Sequence, residues 1–157
     1  MANLLLGTVL LVFSTFIGIK IDAYYKERSL VIKEWSEFLY ECNKKITYFK
    51  TDILTIMREC EQQKIAKDVL ELSVAMEKST ELIIDNVYLN DKEKATIVRF
   101  FMGITGCDIE AQTTLTECTM QDIAVQMSLA ERQKKERGEL IKKLMILLGI
   151  TLMIIVL

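Results

Sequence analysis

Histidine and proline are both absent from this 157-residue chain, and glycine occurs only six times. Few breaks are therefore expected in a chain that is 51% apolar, which favours long helices over short strands joined by tight turns. The length corresponds to a single domain together with any membrane segments. The sequence predicts an all-α protein.

The lack of histidine excludes several enzyme classes: Ser-His-Asp and Cys-His nucleophile systems, histidine zinc sites and the Glu-x-x-His di-iron bundle. A Walker A loop is also missing, because the stretch GITGCDIE has no lysine that could reach a phosphate. We therefore expect a protein that is not an enzyme, with no cofactor, no metal and no small-molecule substrate.

The cysteines have no C-x-x-C spacing, which predicts reduced core thiols in a cytoplasmic domain rather than a zinc site. They are Cys42, Cys60, Cys107 and Cys118. The net charge is -2, from 20 basic and 22 acidic residues, so no global positive field would attract nucleic acid. Nucleic acid is not an expected partner.

Both ends of the chain are apolar. Residues 1–19 hold no charge and would form a helix of roughly 28 Å, which predicts a transmembrane helix. The alternative, a cleaved signal peptide, lacks its basic start and its A-x-A-like site. Residues 144–157 would extend about 21 Å. They predict a short C-terminal transmembrane helix rather than an amphipathic helix packed on the core, because no polar residue face follows Lys143.

Basic residues flank both apolar segments on the side of the middle region. They are Lys20, Lys26, Arg28 and Lys33, and Arg132, Lys134, Lys135, Arg137, Lys142 and Lys143. The positive-inside rule then places residues 20–143 in the cytoplasm as a helical domain. Within the second cluster, the candidates for contact with lipid or a partner protein are Lys134, Lys135, Arg137, Lys142 and Lys143. The alternative is a solvated helix face.

Apolar residues of the middle region recur at helical spacing. One stripe comprises Ile32, Trp35, Leu39, Cys42, Ile46 and Phe49. Further helices are predicted from Thr51 or Asp52 to about Gln63, over residues 65–77 and 79–88, from Asn90 onward, and from Asp108 through Lys143. Asn90 and Glu93 have the spacing of a capping box, which predicts a helix start.

The stretch FMGITGCDIEAQ, residues 101–112, combines two glycines with an aspartate and a glutamine. We interpret it as a joint between two helices, in which Gly103 or Gly106 ends the first helix and Asp108 caps the second. Spacing alone gives no role to Gln112, although we predict that Asp108 and Gln112 orient the last helix rather than bind a cofactor.

An ordered set of residues between the two apolar ends resembles the stage III sporulation protein AB family over nearly the whole chain. The set is Gly18, Ala23, Arg28, Ile32, Leu39, Ile46, Tyr48, Thr51, Asp108 and Gln112. Three positions depart from the family pattern: Asp52 replaces a proline, Thr105 replaces a glycine that is shifted to Gly106, and Met145 replaces one of two tail glycines, the other being Gly149.

The resemblance implies an antiparallel bundle of about six helices between N- and C-terminal transmembrane helices, similar to the cytoplasmic domains of the type II secretion inner-membrane platform protein. It also implies a non-enzymatic platform or adaptor in a sporulation-specific, secretion-like channel. The expected partners are other channel proteins, a cytoplasmic secretion-type ATPase and lipid of the mother-cell side membrane around the forespore. The family-motif residues are Arg28, Tyr48, Gly103, Gly106, Asp108 and Gln112.

Two other classes compete with the platform interpretation. A membrane-anchored signalling or sensor protein would need a sizeable extracytoplasmic part or a ligand pocket, and the predicted topology leaves almost nothing outside the membrane. A membrane enzyme subunit would need clustered titratable groups, whereas acidic pairs such as Asp91 and Glu93 suit the first turn of a helix.

Overall fold

The computed structural model describes the backbone of residues 2–156 and the side-chain burial of residues 5–156, and all regular structure in it is helical. The elements are α1 (Ala2–Phe49), α2 (Ile53–Arg58), α3 (Ala66–Glu77), α4 (Asp91–Ile104), α5 (Ile109–Gln133), a π-helical turn (Lys134–Gly138) and α6 (Glu139–Val156). The all-α class is confirmed. Met1 and Leu157, the outer ends of the predicted spans, lie outside the described residues.

The chain divides into two compact units. The terminal unit comprises Met1–Ser29 and Leu129–Leu157, and the central unit comprises Leu30–Ser128. The terminal unit carries nine basic and five acidic side chains, a net charge of +4, and the remaining 11 basic and 17 acidic residues give the central unit -6. The predicted boundaries, 1–19, 20–143 and 144–157, concern the bilayer and stay predictions.

The core of the central unit is built on the predicted stripe of α1. Trp35, Cys42 and the three aliphatic residues of the stripe are at most 1% exposed. Phe49, predicted to share this core, is 68% exposed. That prediction was wrong because α1 ends at Phe49, and Lys50 takes a positive φ of 52° that turns the chain.

Aromatic rings join α1 to α4 inside the central unit. The rings of Trp35 and Phe38 meet edge to face at 5.9 Å between centroids, and those of Phe100 and Phe101 do so at 4.9 Å. Trp35 also lies 6.3 Å from Phe101. Edge-to-face pairs of this kind add to the free energy gained from burying the rings.

The loops correct two predicted helices. α2 starts where Asp52 accepts a hydrogen bond from Leu54 N (3.0 Å), but it ends at Arg58 rather than near Gln63. The helix predicted over residues 79–88 is wrong, since residues 80–86 are irregular. Asn86 holds this loop, because its Nδ2 donates to Asp68 Oδ2 (2.7 Å) and its Oδ1 accepts from Tyr88 N (3.0 Å).

Asp68 should make the stability of the central unit depend on pH. Burial raises the pKa of its carboxyl above the ordinary 3.8, although the hydrogen bond from Asn86 opposes the rise. A group whose pKa is higher in the folded than in the unfolded state contributes to the free energy of unfolding. This contribution is complete below the unfolded pKa and is lost as pH rises through the folded pKa. Asp68→Asn should flatten this decline in the free energy of unfolding, measured by denaturant titration at several pH values from 3.8 upward.

Asp85→Asn is the matched control, because Asp85 is an exposed carboxyl of the neighbouring loop. Its pH profile should follow that of the unaltered protein. An equal flattening by both substitutions would contradict a specific role for the buried carboxyl.

Candidate functional site

Four of the family-motif residues lie in the turn between α4 and α5 or in the helix ends beside it. Gly106 has φ +82°, and a Cβ atom placed there would meet no atom within 4 Å, so its backbone conformation rather than space requires glycine. Asp108 Oδ1 accepts a hydrogen bond from Ala111 N at 2.8 Å. The predicted cap at Asp108 is confirmed, and the left-handed residue is Gly106 rather than Gly103.

Gln112 contacts the end of the preceding helix. Its Nε2 donates to the carbonyl oxygens of Cys107 (3.1 Å) and Ile104 (3.3 Å), and Ile104 is the last residue of α4. Carbonyls at a helix C-terminus lack partners within the helix, so this amide satisfies one of them. Asp108 therefore caps the start of α5 while Gln112 caps the end of α4, which gives Gln112 the role that spacing alone did not.

Gly103 lies within α4 and allows close packing. A Cβ atom at this position would stand 3.0 Å from Leu115 Cδ2 of α5. The contact is tighter than van der Waals contacts normally allow, so a larger residue would push the Leu115 side chain away. The residues in and beside this turn therefore have a structural role, which is to hold α4 against α5.

Removing either cap should lower stability without unfolding the helices. Asp108→Ala should cost about 1 kcal/mol, and Gln112→Ala about 1 kcal/mol, in the free energy of unfolding of the purified protein. Circular dichroism would measure the melting curve and the helical content, with Glu117→Ala at an exposed interior position of α5 as the control. Loss of a bound metal or nucleotide from the Asp108 variant would contradict the structural role.

Helices α1 and α6 pair antiparallel in the terminal unit, and three glycines lie at close contacts between them. Cβ atoms placed on Gly7, Gly18 and Gly149 would come within 3.2 Å of Met153 Cγ, 3.1 Å of Met145 Cβ and 3.2 Å of Leu11 Cα, respectively. Such small residues allow helices in membranes to approach closely. Gly18 thus provides the close approach opposite Met145, where the family pattern has another glycine.

Large apolar side chains cover the outside of this pair. They are Leu5, Leu6, Val9, Val12, Phe13, Phe16 and Ile19 on α1, and Leu144, Leu147, Leu148, Ile150, Ile154 and Ile155 on α6, all at least 43% exposed. In the described part of the chain, α1 is the one helix long and apolar enough to cross a membrane, which weakly indicates an anchor. A second transmembrane span formed by α6 stays a prediction, because the first turns of this helix contain three charged residues, Glu139, Lys142 and Lys143.

A buried carboxylate, that of Asp22, lies on α1 four residues after Gly18. The side chain of Asp22 is 8% exposed, and its Oδ2 is 2.8 Å from Lys26 Nζ and 3.8 Å from Lys142 Nζ. Its Oδ1 has no hydrogen-bond partner among the residues that the structure describes, and it would lie 3.3 Å from a Cβ atom on Gly138. Asp22 was missed by sequence reasoning, although an acid four residues before Lys26 in a basic flank was a readable signal.

Arg28 and the π-helical turn complete the terminal unit. Arg28 donates a hydrogen bond to Gln133 Oε1, at the end of α5. Gln133 and Gly138 both contact α1 although they are five residues apart, whereas residues on one face of a regular α-helix are three or four apart. The π-helical turn spans that gap and absorbs one extra residue, so that both Gln133 and Gly138 face α1.

The remaining predicted site residues are scattered over the two units. Tyr48 is 78% exposed near the end of α1, in the central unit. In the terminal unit, Lys135, Arg137 and Lys143 are exposed, Lys134 is half-buried, and Lys142 contacts Asp22. Among residues 2–156, no three side chains of histidine, cysteine, aspartate or glutamate gather in a metal-binding arrangement.

These features define an all-α protein with a glycine-packed apolar helix pair and a separate, acidic helical unit. The chain belongs to the stage III sporulation protein AB family, whose family model matches residues 3–157. The resemblance noted from the sequence is confirmed, and the protein is sporulation-related. Neither the curated proteins nor the solved structures gave a match.

Proposed function

We propose that the protein is a non-enzymatic membrane platform of a sporulation-specific, secretion-like channel, where it couples a cytoplasmic secretion-type ATPase to other channel proteins. The proposal rests on the difference between the surfaces of the terminal and central units. The terminal unit has an exposed apolar belt and a charge of +4, which suit a bilayer with a basic inner flank, whereas the central unit is acidic at -6. Membership in a sporulation family supports the setting.

Two of the four thiols of the central unit, those of Cys42 and Cys60, support a role without covalent chemistry. The prediction of core thiols was wrong for Cys107 and Cys118, which are exposed. Burial raises the pKa of the Cys42 thiol, and burial also raises the pKa of the half-buried Cys60 thiol. A raised pKa keeps a cysteine protonated at neutral pH, and the thiolate is the nucleophilic form. With no histidine in the sequence to act as a base, we propose that these cysteines pack and do not react.

We assign the docking surface for the ATPase to one exposed face of α1 in the central unit. Lys33 and Glu37 form an exposed pair 3.6 Å apart, with side chains 60% and 53% exposed. Tyr40 follows on the same helix face and is 58% exposed. Tyrosine is enriched in protein interfaces, and charged groups at an interface select the partner.

The test is affinity purification of the full-length protein from sporulating cells with intact membranes. The unaltered protein should recover a secretion-type ATPase. The triple variant Lys33→Glu, Glu37→Lys and Tyr40→Ala should keep its melting temperature, because an exposed ion pair contributes at most about 1 kcal/mol, yet it should lose the ATPase and lower sporulation efficiency.

The matched control reverses Lys67 and Glu71, which form a similar exposed pair of α3, also 3.6 Å apart. This control should keep the ATPase. If the unaltered protein recovers no ATPase, the platform proposal fails and a membrane-anchored signalling protein becomes the better interpretation. If the control loses the ATPase as well, the assignment to the α1 face is wrong.

We also propose that the central unit is cytoplasmic and that both termini lie across the membrane. The basic residues beside both apolar segments support this topology. Reporter domains fused after the exposed Gln63 and after residue 157 should report opposite sides of the membrane. Cytoplasmic signals from both fusions would mean that α6 does not span.

A further inference from the structure

The outer face of α1 carries a groove of about 390 Å³ in the terminal unit. It is lined by Thr8, Val9, Val12, Phe13 and Phe16. Val9, Phe13 and Phe16 follow each other at steps of four and three, so they share one side of the helix. This side lies roughly 200° around the helix from Gly7, because each residue advances the helix by roughly 100°. The groove therefore faces away from α6.

A cation stands at one end of this groove. Lys20 Nζ lies 5.4 Å from the centroid of the Phe16 ring, which is within the range of a cation–π contact. Lys20 is exposed and is the first charged residue after the uncharged run. No carboxylate of the described residues pairs with Lys20, whereas Lys26 and Lys142 are held by Asp22.

We propose that the groove and Lys20 bind one anionic phospholipid, with its phosphate at the Lys20 ammonium and an acyl chain along Val9, Phe13 and Phe16. Twelve residues separate Thr8 from Lys20, roughly 18 Å along the helix. One leaflet is about half of a hydrocarbon core of about 30 Å, so one acyl chain spans a comparable length. This proposal does not depend on the docking of an ATPase.

A lipid suits this groove better than a second helix does. Helices in membranes associate through small residues, as they do at Gly7, Gly18 and Gly149 on the opposite side. The groove is instead lined mainly by valine and phenylalanine, and a single cation ends it. Apolar length next to one positive charge matches the chemistry of an acyl chain joined to a phosphate.

Native mass spectrometry of the full-length protein tests the proposal, using micelles with equal amounts of phosphatidylglycerol and phosphatidylcholine. The unaltered protein should retain one phosphatidylglycerol in preference to phosphatidylcholine. Lys20→Gln should lower that preference about fivefold, since a basic residue near anionic lipid contributes about 1 kcal/mol. Val9→Trp, which fills the groove, should reduce retention of both lipids.

Arg132→Gln removes an exposed cation of the terminal unit that is paired with Glu136, and it serves as the control, so its lipid preference should match that of the unaltered protein. Melting curves should show that all variants stay folded. Equal losses for Lys20→Gln and Arg132→Gln would overturn the proposal in favour of general surface charge. A dimer mass that disappears with Val9→Trp would overturn it in favour of a second copy in the groove.

Discussion

Replacing Gly149 with leucine is expected to separate α1 from α6. A Cβ atom at this position would already stand 3.2 Å from Leu11 Cα and 3.3 Å from Ser14 Cβ, so the backbones themselves must move apart. Forcing extra bulk into a tight contact costs typically about 1–3 kcal/mol. Energy transfer between dyes on cysteines introduced at residues 5 and 155 would measure the separation, after serine replaces the native cysteines.

Thr151→Leu places the same leucine side chain on the exposed side of α6 and is the control. Thr151 is exposed and donates its hydroxyl hydrogen bond to Leu147 O of its own helix, so the packing against α1 should stay intact. Energy transfer should be unchanged in this variant. Unchanged transfer in the Gly149 variant would show that the glycine contacts do not hold the pair together.

Deleting Leu148 is expected to abolish the pairing of α1 and α6, whereas deleting Lys135 should preserve it. The first deletion turns Gly149 away from α1 by roughly 100°, because every residue of an α-helix contributes that rotation. The second deletion shortens the step from Gln133 to Gly138 from five residues to four, which a regular α-helix accommodates. The energy-transfer measurement described for Gly149 would compare the two deletions.

Sporulation efficiency adds a second readout for the Lys135 deletion. π-Helical turns occur frequently at functional sites, so a variant that keeps the helix pair but loses sporulation would assign a function to the turn itself. If the Lys135 deletion instead breaks the pair, the extra residue is not simply absorbed by the turn, and our account of the register is wrong.

Local signals in the sequence predicted local structure well. Asn90 and Glu93 form the expected capping box, with hydrogen bonds of 2.9 Å and 2.7 Å in the two directions. Asp108 caps α5 as its position after Gly106 indicated. Each of these features depends on residues fewer than five positions apart, and their spacing therefore contains the information.

Features that depend on distant residues could not be predicted in this way. The helix expected over residues 79–88 is replaced by a loop, because Asn86 bonds to Asp68, 18 residues earlier. The π-helical turn is recognisable only when the partner of Gly138 is known to be Asp22. Apolar periodicity predicts which side of a helix is buried, but it does not predict which helix packs against that side.

The helix pair of the terminal unit has a consequence for the order of folding. Ser14 donates its hydrogen bond to Met145 O across 131 residues, and Arg28 reaches Gln133 across 105. Because of the lost chain entropy, closing a loop of that length costs roughly 2 kcal/mol more free energy than closing a loop of ten residues. During synthesis, the glycine face of α1 must wait for its partner until most of the chain exists. Lipid tails, which are as apolar as the side chains of a neighbouring helix, would shield that face in the meantime.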